Sequence, residues 1–317
     1  MNRRQFNQTL LAALACPQLS WAAPKSWKQV GELRHGSDIN VEQIELSPDA
    51  RAVASWATDG SLQIWHLDLK RVVWARGDNT RLLGSNRKGF LLLDKGSLKQ
   101  VDPKTGAETA LTSSFEPNCI SDNGEWWAGL QEQSNVMLFN TKTMRPQPLS
   151  TPPAVYKTEP RRFSFSPDGQ WLAVAQGVRN VLWQLSKPDD PIVLDDLPGE
   201  ISNVRLTKDA RWVISGCLGG TLDFYNRLSP RQGQRVQYQG DIRSLSLDAP
   251  KNQLLVGCSD GTPYLALQPM PAWPKPSAMA AEPVSFGSPG EAWSVSLRSN
   301  QAASGHKSGL LRLWKLG

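Results

Sequence analysis

Apolar and polar residues alternate along most of the chain in short runs that end at tight turns, the pattern of half-buried β-strands. The pattern is clearest from Ile39 to Trp74. Ile44 and Leu46 alternate with polar neighbours and lead into the turn Ser47-Pro48-Asp49-Ala50. Arg51 to Ala57 reads as a second strand ending at Asp59-Gly60. Ser61 to Leu67, carrying Ile64-Trp65, reads as a third, and Arg71 to Trp74 completes a four-stranded meander. Each strand can bury one face, while Pro-Asp and Asp-Gly supply the turn backbone.

The same order recurs along the chain. Phe163 to Phe165 leads to Ser166-Pro167-Asp168-Gly169 and then to Gln170 to Ala175, and Ile201 to Leu206 leads to Thr207-Lys208-Asp209-Ala210. Ile242 to Leu247, Trp126 to Leu130 and Ala292 to Leu297 head or continue further copies, and the copy through Arg81 to Leu83 and Phe90 to Leu93 is the weakest. First turns fall near 47, 86, 122, 167, 208, 249 and 299. Residues 23–317 (317 less 22, or 295) divided among seven copies give about 42 residues each, the length of a propeller blade.

Asp59-Gly60-Ser61-Leu62-Gln63-Ile64-Trp65 and Gly309-Leu310-Leu311-Arg312-Leu313-Trp314 resemble the repeats of WD40 proteins. With the period, the resemblance covers essentially all of residues 23–317. The family's Gly-His at the repeat start and its terminal Trp-Asp are mostly missing, and His35-Gly36 stands near one start in reverse order. The resemblance implies an all-β, seven-bladed β-propeller of four-stranded antiparallel sheets. Trp27 to Leu33 precedes the first copy, and the last copy supplies only three strands. This N-terminal strand is therefore expected to complete the last blade and close the ring.

Residues 1–22 read as a cleavable export signal, with residues 23–317 as a single domain. Arg3 and Arg4 form a basic start, and Arg3-Arg4-Gln5-Phe6 is similar to the twin-arginine pattern; general secretory export is the alternative. The apolar stretch beginning at Leu10 to Leu14 is too short to span a membrane, and Ser20-Trp21-Ala22 places cleavage after Ala22. Ala13-Leu14-Ala15-Cys16 loosely resembles a lipid-attachment motif, but Leu14 fits it poorly and the downstream site is preferred. The mature chain is expected to be periplasmic or otherwise exported, without a transmembrane segment, and monomeric.

Composition narrows the function. At 39% hydrophobic and 20% charged the chain has the makeup of a folded globular domain. Removing Arg3 and Arg4 with the signal leaves 33 of 35 basic residues against 29 acidic ones. That surplus of four is scattered without a basic run, so no nucleic-acid partner is expected.

No Gly-x-Ser-x-Gly elbow and no phosphate-binding glycine loop occurs, and His35, His66 and His306 are far apart. No catalytic, metal or cofactor-binding residue is therefore assigned. Asp49, Asp168 and Asp209 each sit singly beside a turn and are expected to bond local backbone rather than calcium. Trp126, Trp171 and Trp212 recur at the start of second strands and are expected to pack between neighbouring sheets, with Trp127 on the opposite face from Trp126. Cys119, Cys217 and Cys258 read as buried free thiols.

Propellers of this kind bind partners through the loops before each first strand and after each second strand. Here those loops carry Asp38, Asn79, Glu116, Arg161, Arg162, Asp241 and Arg243. Trp273, inside the proline-rich stretch Gln268 to Pro276, is a further candidate. The resemblance implies a non-catalytic protein-interaction or scaffolding module of the cell envelope, with an unidentified protein partner. The alternative is a propeller enzyme or small-ligand binder with its site at the mouth of the central channel.

Overall fold

The computed structural model describes residues 27–113, 115–131, 135–150, 162–195, 197–229, 233–251, 253–259, 264–267 and 292–316. Arg3, Arg4, Phe6, Cys16, Ala22, Arg161 and Trp273 lie outside the described residues.

The strands follow the alternating runs. β1 (Trp27–Arg34) precedes the sheet β2 (Val41–Leu46), β3 (Ala52–Ala57), β4 (Leu62–His66) and β5 (Arg71–Arg76). The next sheet is β6 (Thr80–Asn86), β7 (Gly89–Asp94), β8 (Ser97–Val101) and β9 (Glu108–Ala110). It is followed by β10 (Glu116–Ile120), β11 (Trp126–Gln131), β12 (Asn135–Asn140) and β13 (Arg145–Pro148). Then come β14 (Arg162–Phe165), β15 (Trp171–Gln176), β16 (Arg179–Gln184) and β17 (Lys187–Leu194). The sheet after that is β18 (Ile201–Leu206), β19 (Trp212–Cys217), β20 (Thr221–Asn226) and β21 (Gln234–Gln237). β22 (Ile242–Asp248), β23 (Gln253–Cys258) and β24 (Tyr264–Leu267) form a sheet of three. Finally β25 (Ala292–Arg298), β26 (Gln301–His306) and β27 (Leu310–Leu316) are joined by β1 in the order β1-β27-β26-β25. No α-helix occurs among the described residues.

The expectation of seven four-stranded blades is corrected: six sheets have four strands, and β22-β23-β24 has three among the described residues. The sequence beyond Leu267 holds Pro269, Pro271, Pro274 and Pro276, which have no N–H to donate to a ladder. The remaining architecture is an all-β propeller. The inner strands touch in a circle, β2 to β6, β10, β14, β18, β22, β25 and back to β2.

β1 completes the last blade, as the alternation anticipates. It pairs antiparallel with β27 from Trp27 opposite Leu316 to Arg34 opposite Leu310. A bulge between Gln29 and Gly31 turns Val30 outward. Trp27 is buried with Leu255, Val295 and Trp314, so the first residue of the strand ties the last blade to β23 of its neighbour.

Sheet-on-sheet burial provides the cohesion. Trp171 packs on Leu206 and Val213 of the next sheet, and Trp212 on Leu245 and Val256 of the one after. The recurring tryptophans are thus inter-sheet fillers, with Trp126 only partly buried and Trp127 buried against Phe139 at 5.2 Å. Burying a side chain of this kind contributes about 1.5–3 kcal/mol or more, which makes the ring mutually dependent. Glycine sets the closest approach: a Cβ on Gly216 would stand 2.4 Å from Ile242, and one on Gly305 would stand 2.5 Å from Val41.

The turns behave as the sequence indicates. Asp49 Oδ1 accepts from Ser47 Oγ at 2.6 Å and from the Arg51 amide at 3.1 Å. Asp168, Asp209 and Asn123 hold the corresponding turns in the same way.

Two histidines serve as hydrogen-bond hubs. His35 Nδ1 lies 2.7 Å from Ser55 Oγ and its Nε2 lies 2.8 Å from Ser61 Oγ, while Trp65 Nε1 donates to Ser55 at 3.2 Å. Asp59 in turn accepts from Ser61 Oγ at 2.5 Å. Burial lowers the pKa of His35 and Asp59 opposes this only in part, so the ring is neutral at neutral pH. A second hub forms in the last blade. Ser304 Oγ lies 2.8 Å from His306 Nε2 and accepts from Trp314 Nε1 at 3.2 Å. By register His306 occupies the place that Cys217 and Cys258 hold in two earlier blades. Both cysteines are buried, and burial pushes the Cys217 thiol up to about 11.

Candidate functional site

The inner strands enclose a channel along the propeller axis. Residues that alternate away from the sheet cores line it, and a repeated irregularity sets which ones. In six of the inner strands the pairing with the second strand slips by one residue. The residues left out of the ladder are Glu42, Leu83, Asn118, Ser202, Arg243 and Trp293. A bulge re-aims the side chain it leaves unpaired, and the first five of these line the channel. Its cavity measures about 490 Å³.

Serines stitch the wall from blade to blade. Ser246 Oγ accepts from the Leu297 amide at 2.9 Å, and Ser296 Oγ accepts from the Leu46 amide at 2.9 Å. Ser294 Oγ donates to the Val41 carbonyl at 3.1 Å. These bonds satisfy backbone groups that no neighbouring strand reaches.

At the upper face, where the inner strands begin, charged and aromatic side chains meet. Arg81 pairs with Glu116 at 3.0 Å. Arg243 pairs with Asp241 at 3.0 Å and lies over the Trp293 ring at 5.5 Å, with Lys307 5.9 Å from the same ring. Asp241 also accepts from the Gly219 amide at 2.8 Å, which fixes the loop that carries it.

Toward the lower face a second charged group gathers. Glu45 accepts from Arg298 at 3.0 Å and from Ser85 at 2.9 Å. Arg205 and Asp122 line the same cavity. Asp122 is open to channel solvent yet crowded by protein; that crowding raises its pKa, against the pull of Arg298. For Arg298 burial works toward a lower value, but Glu45 and Asp122 outweigh it and the net shift is upward.

Of the residues expected from sequence, Arg162 and Arg243 line the channel, and Asp241 and Glu116 brace its rim. Asp38 is exposed on the β1–β2 connection with φ of 61°, away from the cavity. Arg161 and Trp273 lie outside the described residues. Sequence reasoning missed Glu45, Arg205 and Arg298, whose signal was a charge inside an inner strand where its repeats carry serine. The three histidines do not converge: His35 and His306 sit in separate hubs, and His66 Nδ1 accepts from the Leu69 amide at 3.4 Å. Among the described residues no three His, Cys, Asp or Glu side chains are grouped to hold a metal, and no helix is long and apolar enough to cross a membrane.

No family model matches the sequence, and no curated protein does. Among solved structures, the β-propeller domain of Cps50 (Swd1) from Myceliophteria thermophila is similar, with a TM-score of 0.66 and 13% identity. The match covers 92% of this chain and 100% of that domain. At so low an identity the likeness shows the fold alone, and that fold is a β-propeller.

Proposed function

We propose that the chain is a non-catalytic interaction module, a divergent propeller of the WD40 type, that docks a protein partner across its upper face. The observation that carries this reading is the arrangement of Arg243, clasped by Asp241 at 3.0 Å and laid over Trp293 at 5.5 Å at the channel rim. Arginine and tryptophan dominate binding energy at protein interfaces, and a pre-positioned pair loses little entropy on docking. The His35–Ser55–Trp65 hub supports the WD40 kinship, because such a network is typical of that family's repeats. Export to the periplasm, expected from residues 1–22, belongs to the same proposal.

The test is crosslinking capture from the periplasmic fraction with the tagged full chain, beside the double variant Arg162→Glu/Arg243→Glu. One stoichiometric partner is expected with the native chain. The variant should lose roughly tenfold or more of that capture at an unchanged melting temperature. Equal capture by both, or no partner alongside turnover of a substrate, would reject the proposal.

A further inference from the structure

The channel wall is rich in arginine. Arg81, Arg162, Arg205, Arg243 and Arg298 line it, against the carboxylates of Glu42, Glu45 and Asp122. With Glu116 and Asp241 at the rim the five arginines face five carboxylates, so the site is decided by which arginine keeps its donors unspent.

The arginines differ in how far their donors are used. Arg81 and Arg243 are paired at the rim with Glu116 and Asp241. Arg298 shares Glu45, but its buried Nε has no acceptor. Arg205 is deeper, and its hydrogen bond runs from Nη1 to the carbonyl of its own neighbour Val204, at 2.9 Å. Among the described residues no carboxylate oxygen lies within 4.0 Å of it. A guanidinium offers five N–H donors in a planar fork that matches a carboxylate, so most of this fork is unspent. Ser246 stands at the same level on the adjoining inner strand, two residues before the turn just as Arg205 is. Its Oγ accepts from the Leu297 amide, which leaves the hydroxyl proton to donate.

We propose that the channel binds a carboxylate group, held on the Arg205 fork with the Ser246 hydroxyl and Arg298 beside it. Burial lowers the Arg205 pKa and Glu45 and Asp122 restore it only in part, which is the condition of a cation short of counter-charge. Two sources offer the same chemistry. One is a free small acid, and the other is a glutamate or aspartate side chain that a docked partner inserts from the face.

The experiment titrates the full chain with succinate and, separately, with a blocked Ala-Glu-Ala peptide, at constant ionic strength balanced with chloride. Binding is read by calorimetry and by the shift in melting temperature. Saturable one-site binding of either ligand is expected, with Arg205→Gln weakening it roughly 10- to 100-fold, as for a lost charge-assisted hydrogen bond. Succinate binding identifies a free acid, and binding of the peptide alone identifies an inserted side chain. Glu45→Gln should bind severalfold more tightly, because it removes a competing carboxylate and releases Arg298. This second variant keeps the test decisive if Arg205→Gln fails to fold. Absence of saturation by both ligands at millimolar concentration, or native affinity in Arg205→Gln, overturns the proposal. That outcome leaves partner docking untouched, since docking is read through Arg162 and Arg243.

Discussion

Removal of residues 27–34 is expected to abolish cooperative unfolding or to lower the melting temperature by at least about 10 °C, since loss of one buried tryptophan alone implies roughly 6–20 °C. The deletion takes away β1, the only strand of its blade that comes from the opposite end of the sequence. Trp27 leaves the cluster of Leu255, Val295 and Trp314, at a cost of about 3–5 kcal/mol. The ladder from Trp27 to Arg34 is lost with it, exposing β27 as an edge. Since a whole domain is stable by only about 5–15 kcal/mol, these losses consume most of the margin. Thermal unfolding followed by circular dichroism is the measurement. A truncated chain that melts like the native one would show that the ring does not close through β1.

Ser55→Ala is expected to cost about 2–5 kcal/mol, because one hydroxyl serves two buried partners and each orphan costs about 1–3 kcal/mol. Ser55 is fully buried, and its removal strips Trp65 Nε1 and His35 Nδ1 of their bond. Ser304→Ala takes a bond from His306 and from Trp314 in the adjoining blade, and should cost about 1–3 kcal/mol. Ser97→Ala at an exposed strand start is the control, expected within about 0.5 kcal/mol of the native chain. Urea midpoints at neutral pH measure all three. If Ser55→Ala behaves like the control, the hub contributes nothing to stability.

Much of the fold could be read from the sequence because its signals are local. Ser-Pro-Asp-Gly, Asp-Gly and the strand alternation act within a few residues, and β1 was recognisable as a strand with no blade of its own. The sheet β22-β23-β24 has three strands among the described residues, where the repeat pattern reads as four.

The site was less legible. Alternation shows that Glu45 and Arg205 turn away from the sheet cores, but it does not distinguish the axis from the outer surface. Only the closed ring brings residues 160 positions apart (205 less 45) into one cavity. Bulges added to this by moving Glu42, Ser202 and Arg243 onto the wall through a one-residue slip, which periodicity does not encode. The first histidine hub was hidden by the reversed His35-Gly36 order. The second was hidden because His306 stands where the earlier blades place cysteine.

The account depends on a continuous ring in which β1, locked to β27, completes the blade whose inner strand β25 carries Arg298. Amide hydrogen exchange on the intact native chain tests this most directly. Protection of the β1 amides should match that of β26 and β27 and disappear only with global unfolding, at the same denaturant midpoint. Exchange of residues 27–34 within seconds, while β26 remains protected, would contradict it.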